Sequence, residues 1–414
     1  MTTDSTLTSL MSQAATSRSF WLESAVPLRR APLAKLPGRV KLAIVGAGLA
    51  GVSVGCEFMR RGMAAEDIVI LEGAAPGHGA SGRNGGFVLT FPGTVLCDWI
   101  DSYGEEFVGE LMRKNRRNRD LIRETVLELG VPHQNGGSYY IAGHAEEEAW
   151  LQRCATFLSH DAASDAALGP PPPHSPSERP TLFVPGDFGI QPADYVHRRL
   201  DASAIPYAVD CAVTDCKRDG GGVLLTTSRG PVHADRVVFA TNVYLPLVLD
   251  YFQRHIPITP KRNQVVLFKP ANAADRVWGD AIYYANEGYE YWRQLPDGRI
   301  LLGGLRNRDV PGEATIELGK NNAILEFMKH DFIPKLTLGA PYEIERTWSG
   351  IMGFTADEIP VCGFIPETDE RVAYLGGFSG YGLGFHRAVV EDLVGMMEGE
   401  KTATPFSPER FLCR

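Results

Sequence analysis

The stretch from Lys41 to Glu72 constrains the fold of this 414-residue chain more than any other. It reads KLAIV, GAGLAG and VSVGCEFMRRG, and closes with DIVILE. That is a short buried strand, a G-x-G-x-x-G turn, a helix, and a second strand ending in an acid. The order is that of a dinucleotide-binding βαβ unit. Gly46 permits the tight turn, Gly48 lets the backbone approach a pyrophosphate, and Gly51 lets helix and strand pack closely. Leu49 and Ala50 open the helix, whose unpaired N–H groups and dipole favour phosphate. Glu72 stands where a carboxylate can accept hydrogen bonds from ribose hydroxyls. The turn alone does not separate NAD from FAD.

Composition narrows the function classes. Hydrophobic content of 44% and charged content of 22% are those of an ordinary soluble globular chain. The formal net charge of -9 argues against a general nucleic-acid or anionic-membrane binder. The seven cysteines (Cys56, Cys97, Cys154, Cys211, Cys216, Cys362, Cys413) are scattered, odd in number and contain no C-x-x-C pair. A disulfide framework or metal site is therefore not expected, and a reducing, cytoplasmic setting is. No uninterrupted apolar run is long enough to span a bilayer. Residues 1–35 read as a flexible N-terminal arm. An organellar transit peptide is the alternative, diluted by Asp4 and Glu23.

Further along, GHGASGRNGGF (Gly77 to Phe87) has no bulky apolar residue before its last position, as expected of backbone lying against a ligand. Residues 104–130 read as a charged helix, GGSYYIAG as a strand, and 160–180, with four successive prolines, as a solvated insertion. DRVVFA (Asp235 to Ala240) reads as a buried strand. NQVVLF, YEYWRQL and RILLGGL form a β-rich block with a Pro296-Asp297-Gly298 turn. VAYLGGFSGYGLGFHRAVVEDLVGMM is a second strand–glycine–helix junction more than 300 residues after the first. NAD domains usually complete their site locally, whereas flavoproteins often bring a distant C-terminal helix to the flavin.

Taken in order, GAGLAG, ILE, GASGRNGGF, FATNVY, WSGIMGFTADEIP and GFSGYGLGF resemble the D-amino acid oxidase (DAO) superfamily of FAD-dependent amine and amino-acid oxidoreductases. The superfamily includes glycine oxidase and monomeric sarcosine oxidase. The gamma-glutamylputrescine oxidase branch is the one resembled most, and the likeness runs from about Ser19 to Met397. It implies a mixed α/β fold, with a Rossmann-like FAD-binding domain (36–95, 186–248, 342–414) interleaved with an antiparallel-sheet substrate domain (96–185, 249–341). Ser81, Gly82, Arg83, Asn84, Gly86 and Phe87 would lie along the flavin, with Gly350 nearby. Gly380, Tyr381 and Gly382 would face its pyrimidine side, and Val213 would meet the adenine. The covalent cysteine of some members would fall in Trp348-Ser349-Gly350, which has none, so non-covalent FAD is expected.

The implied chemistry is hydride transfer from an amine-bearing carbon to flavin N5, with O2 as acceptor and a small-molecule amine as substrate. Tyr289, Tyr291 and Arg293 share one face of a strand through YEYWRQ. Tyr289 and Tyr291 match active-site positions. The carboxylate-binding arginine of the amino-acid oxidases is replaced by Met352, which lacks the needed fork. Arg306 is the expected substitute. The oxygen-assisting lysine of sarcosine oxidase would fall near Ile300 or Leu301. A dehydrogenase with another acceptor stays open, as do a tRNA-modifying flavoprotein and a non-catalytic flavin-binding protein.

Overall fold

The computed structural model describes residues 17–93, 95–400 and 403–412. Its centre is a mixed sheet built outward from Arg39–Val45. That strand pairs in parallel with Ile68–Leu71 on one side and with Val232–Phe239 on the other. Tyr207–Ala208 extends the sheet beyond Ile68–Leu71, again in parallel. The outer edge of Val232–Phe239 has two successive partners. Gly222–Thr227 pairs antiparallel with its first half and Val372–Gly376 pairs parallel with its second.

The central strands are apolar on both faces because both are covered. Leu42 and Ile44 face a core shared with Val52, Val54 and Phe58 of the helix Leu49–Arg60 and with Val389 and Leu393 of the helix Gly382–Met397. Ala43 and Val45 face the opposite core, with Phe239, Phe252 and Tyr374.

A second sheet of eight strands runs in the order Tyr342–Phe354, Thr259–Pro270, Ile300–Gly304, Glu290–Gln294, Ile282–Ala285, Ser138–Ile141, Thr181–Val184, Ala167–Gly169. Every pairing is antiparallel except Ile282–Ala285 with Ser138–Ile141. The Pro296-Asp297-Gly298 turn is present, closed by Leu295 N–H donating to Arg299 O at 2.7 Å, with Gly298 at φ +86°. The segment 160–180 is not only solvated loop, because Ala167–Gly169 finds backbone partners on Thr181–Val184 and forms the sheet edge. The strand Tyr342–Phe354 also departs from the expected boundaries. It pairs with Thr259–Pro270 along its length, so it belongs to this second sheet although 342 was expected to open a cofactor-domain segment.

The N-terminal region is a second correction. From Ser17 onward it is packed, not a loose arm, while residues 1–16 lie outside the described residues. Ser19 is buried, caps the short helix Phe20–Ser24 through Leu22 N–H, and donates to Gly82 O. Trp21 is 2% exposed and its indole N–H donates to Asn84 O at 2.7 Å. Further on, Arg30 donates to the carbonyls of Leu200 and Ile205, and Leu33 N–H to Tyr207 O. Scattered polar anchors do this work. A composition-based reading misses them, because each partner lies at least 63 residues away.

Candidate active site

The glycine turn has the geometry its spacing implies. Gly46 sits at φ +104°, a region that disfavours any side chain, and its N–H donates to Leu71 O at 2.8 Å. A Cβ on Gly51 would stand 1.9 Å from Gly46 O, so helix and strand approach only because it is glycine. A Cβ on Gly48 would stand 2.6 Å from Ser81 Oγ. That hydroxyl accepts the Leu49 N–H at 2.9 Å and ties the Gly77–Phe87 segment to the helix start. Glu72 accepts from Ala47 N–H at 2.7 Å and Ala74 N–H at 2.9 Å. Its carboxyl lies deep in the molecule yet opens on the cavity, and burial pushes its pKa up.

One continuous cavity runs from this turn to the second sheet. Gly46, Gly48, Leu49, Ala50, Glu72, Ser81, Arg83, Asn84, Phe87, Val213, Gly350, Gly380, Tyr381 and Gly382 all line it, as do Tyr291, Arg306 and Met352. Four residues singled out from the sequence stand behind the wall. Gly51 serves the helix–strand contact. Gly82 packs against Gly77 O and Leu22, where a Cβ would be 2.5 Å and 2.9 Å away. Gly86, at φ +74°, lets the chain pass Ile190 O, which a Cβ would meet at 2.3 Å. Tyr289 lies outside the lining but stacks beneath Arg306, whose guanidinium is 4.5 Å from its ring centre.

Arg83 and Asn84 use their side chains to hold the wall together. Arg83 is buried and donates to the carbonyls of His78 (2.7 Å), Ser349 (3.2 Å) and Ser17. Burial lowers its pKa to about 10. Asn84 donates to Ala80 O and Ser81 O and accepts from Gly86 N–H, so it folds its own loop. Arg293, on the same strand face as Tyr291, is buried below and donates to Gly86 O (3.2 Å) and Ile190 O (2.8 Å). Its pKa is driven down to about 9 by burial.

At the far end the cavity is aromatic. Tyr140, Tyr284 and Tyr291 stand side by side across three neighbouring strands, in register as Tyr140–Tyr284–Tyr291. Tyr140 and Tyr284 are stacked, with ring centres 5.4 Å apart, and Phe87 meets both Tyr284 and Tyr291 edge-on. Tyr291 has room because Gly303 faces it, where a Cβ would stand 2.3 Å from its hydroxyl. Its hydroxyl accepts from Asn263 Nδ2 at 2.8 Å, and burial raises its pKa to about 12, so it stays protonated at neutral pH. Tyr140, Tyr284, Asn263 and Glu287 all line the cavity and were not singled out from the sequence. The parallel pairing of Ser138–Ile141 with Ile282–Ala285 joins segments more than 140 residues apart, and no local pattern announces it. Gly303 within an apolar strand was the one available signal, since such a glycine marks a close approach.

Arg306 follows Leu305, whose φ of +65° turns the chain out of the strand. Its guanidinium also lies 5.4 Å from the Phe354 ring centre. Among the described residues, no carboxylate oxygen comes within 4.0 Å of it. It is a cavity-facing cation that lies against the Tyr289 and Phe354 rings, with Glu358 and Lys261 within electrostatic reach. Met352 lies opposite Lys261 in the sheet register and would touch a side chain at Gly380 at 3.5 Å. Ile300 and Leu301 are both fully buried in the sheet, with no lysine at that place. Among the described residues no group of His, Cys, Asp and Glu has the makings of a metal site.

The G-x-G-x-x-G turn is joined by one cavity to a second sheet. Residues 41–394 match the family described as FAD dependent oxidoreductase (DAO). The chain belongs to that family. It is 24% identical over 369 residues to gamma-glutamylputrescine oxidoreductase of Escherichia coli (strain K12), covering 82% of this chain and 79% of that one. Among solved structures it resembles glycine oxidase from Geobacillus kaustophilus (TM-score 0.74, 20% identity, 90% of this chain and 98% of the other). It also resembles L-proline dehydrogenase from P. horikoshii (TM-score 0.74, 21% identity, 91% and 99%). The cofactor of this FAD-dependent oxidoreductase fits the residues present. The glycine turn and the helix start at Gly48–Ala50 line the cavity, Glu72 opens on it, and the lining extends from Val213 to Gly380–Gly382 as an elongated dinucleotide requires. No described helix is long and apolar enough to cross a membrane.

Proposed function

We propose that this chain oxidises a C–N bond of an amine or amino acid to an imine, with O2 as the final acceptor and FAD held non-covalently. FAD held in the cradle would supply the two-electron acceptor for the substrate's hydride. The observation that carries the reading is Arg306, a guanidinium at the aromatic end of the cavity with no carboxylate oxygen within 4.0 Å among the described residues. Such a group favours a substrate carrying an acidic function. An amine seated against Tyr284, Tyr291 and Phe87 is desolvated, which lowers its pKa and favours the neutral form that can release a hydride. The Tyr291 hydroxyl, fixed by Asn263, orients it. Met352 in place of an arginine fits an acidic function approaching from the Arg306 side.

The test is anaerobic bleaching of the flavin by D-amino acids, N-methyl amino acids, polyamines and acylated polyamines. Bleaching by an amine that carries a carboxylate, with Arg306→Met raising its Michaelis constant at least tenfold, is the expected result. An unchanged constant sinks the role of Arg306, and no bleaching by any amine sinks the reaction. Reoxidation in air far slower than turnover assigns another acceptor. Acid precipitation is expected to release all the flavin, and a yellow pellet would contradict non-covalent binding.

A further inference from the structure

Gly93, on the cavity wall, leads into the helix Val95–Leu129, which is broken at Gly104. The segment Val95–Tyr103 is thus bounded by two glycines at φ +79° and +81°. It carries Cys97. The neighbouring helix Ala145–Ser159 carries Cys154. Both thiols are buried, and their sulfurs stand 3.3 Å apart. Cys97 Sγ also lies 3.7 Å from Trp150 O. At the surface end of the same contact, Arg153 and Asp101 pair through both guanidinium nitrogens and both carboxylate oxygens, which holds the two elements in register.

We propose that Cys97 and Cys154 are a peroxide-oxidisable dithiol that converts reversibly to a disulfide stapling Val95–Tyr103 to the helix Ala145–Ser159. A gap of 3.3 Å needs to close by only about 1.3 Å to reach a disulfide bond. The two sulfurs are not equivalent. The hydrogen bond between the two sulfurs holds the Cys97 thiol below its usual range, while the same contact and burial push Cys154 up. Cys97 is also the more accessible of the two, 4% exposed against 0% for Cys154, and is the sulfur that peroxide reaches first.

Cys97 thiolate attacks one oxygen of hydrogen peroxide, forming an S–O bond and expelling hydroxide, which takes up the thiol's proton to give water. The Cys154 sulfur then attacks the sulfenic sulfur. The S–S bond forms and the S–O bond breaks, and the departing hydroxide takes the Cys154 proton as a second water. Two thiols are oxidised by two electrons and one peroxide is reduced to two waters. The oxidant is peroxide from any source, so the inference does not rest on the proposed amine chemistry. The stapled segment also carries Trp99, which lies edge-on to cavity-lining Tyr381 at 6.3 Å and donates to Asp357 O at 2.7 Å. Oxidation therefore fixes part of the wall beside the cofactor cradle.

The test uses the flavin-loaded protein, treated with dilute hydrogen peroxide without denaturant. Intact mass should fall by about 2 Da and a digest should yield one peptide pair joined through Cys97 and Cys154. Dithiothreitol should restore both. Cys97→Ser and Cys154→Ser proteins should each lack the 2 Da loss. Oxygen addition at either sulfur without the 2 Da loss would overturn the proposal. So would a disulfide mapping to other cysteines, or no reaction in the folded protein when the denatured chain forms the bond readily. The wild-type digest decides these outcomes even if a serine variant folds poorly.

Discussion

Trp21 offers a direct test of whether the N-terminal segment belongs to the cofactor site. Its indole is buried, donates to Asn84 O at 2.7 Å, and is covered by the Arg293 guanidinium at 4.8 Å from the ring centre. Trp21→Ala removes that ring from a packed setting and should cost about 3–5 kcal/mol. Trp21→Phe keeps much of the apolar face and loses the hydrogen bond, a cost of about 1–1.5 kcal/mol. The Gly82–Asn84 carbonyls held by this segment belong to the loop that lines the cavity. The loss should therefore appear in cofactor affinity as well as in stability. A penalty of about 1 kcal/mol falling wholly on the FAD-competent state corresponds to roughly fivefold weaker binding. The assay has two arms: flavin fluorescence released on heating, and titration of apoprotein with FAD. We expect flavin release in the order Ala, Phe, wild type with rising temperature, and weaker FAD binding in the same order. A Trp21→Ala protein that unfolds earlier yet binds FAD as tightly as wild type would refute the coupling.

Other substitutions probe separate parts of the argument. Gly51→Ala should abolish measurable flavin retention, because a Cβ 1.9 Å from Gly46 O forces helix and strand apart; flavin-to-protein absorbance ratios decide it. Asp187 is fully buried, accepts from Thr90 N–H, Thr90 Oγ1 and Ser138 Oγ, and has its pKa raised to about 6, chiefly by burial. A carboxyl with a raised folded pKa stabilises the fold when protonated, and that contribution is lost as pH climbs from about 4 to about 6. Wild type should therefore lose about 3 kcal/mol relative to Asp187→Asn across that window, measured by urea unfolding at stepped pH. A constant difference between the two proteins would contradict the assignment. Tyr291→Phe keeps the ring against Phe87 but strands Asn263 Nδ2. It should lower the rate of flavin reduction about tenfold, checked by stopped-flow reduction, and cost about 1–3 kcal/mol of stability through the stranded donor.

The cofactor end was legible in sequence because its determinants are local. A strand, three glycines, a helix and an acid fall within 32 consecutive residues, and the structure keeps that geometry. The alternation in YEYWRQ also placed Tyr291 and Arg293 on one face, with Trp292 on the other in the core beside Trp278 and Tyr283. What the pattern could not show is that Arg293 faces carbonyls under the Phe87 segment while Tyr291 faces the cavity. Both side chains point the same way, and the difference depends on what a distant loop lays over each. Gly82 and Gly86 were legible as backbone positions but not as positions behind the wall, since a close approach to Gly77 O or Ile190 O needs the tertiary trace. Tyr140 and Tyr284 became neighbours only through the parallel pairing of two short strands, and Ser19 and Trp21 act through single bonds to remote carbonyls.

The cavity draws its lining from Val45 near one end of the chain to His386 near the other. Its floor needs Val372–Gly376 seated against Val237–Phe239 before Gly380–Gly382 can take their place. On a ribosome, the glycine turn emerges hundreds of residues before the tail that completes the site. A nascent chain can therefore form the phosphate cradle early but cannot enclose the cofactor until synthesis is almost finished. Flavin enclosure is then a late event, and a chain truncated before residue 380 would lack the Gly380–Gly382 part of the lining.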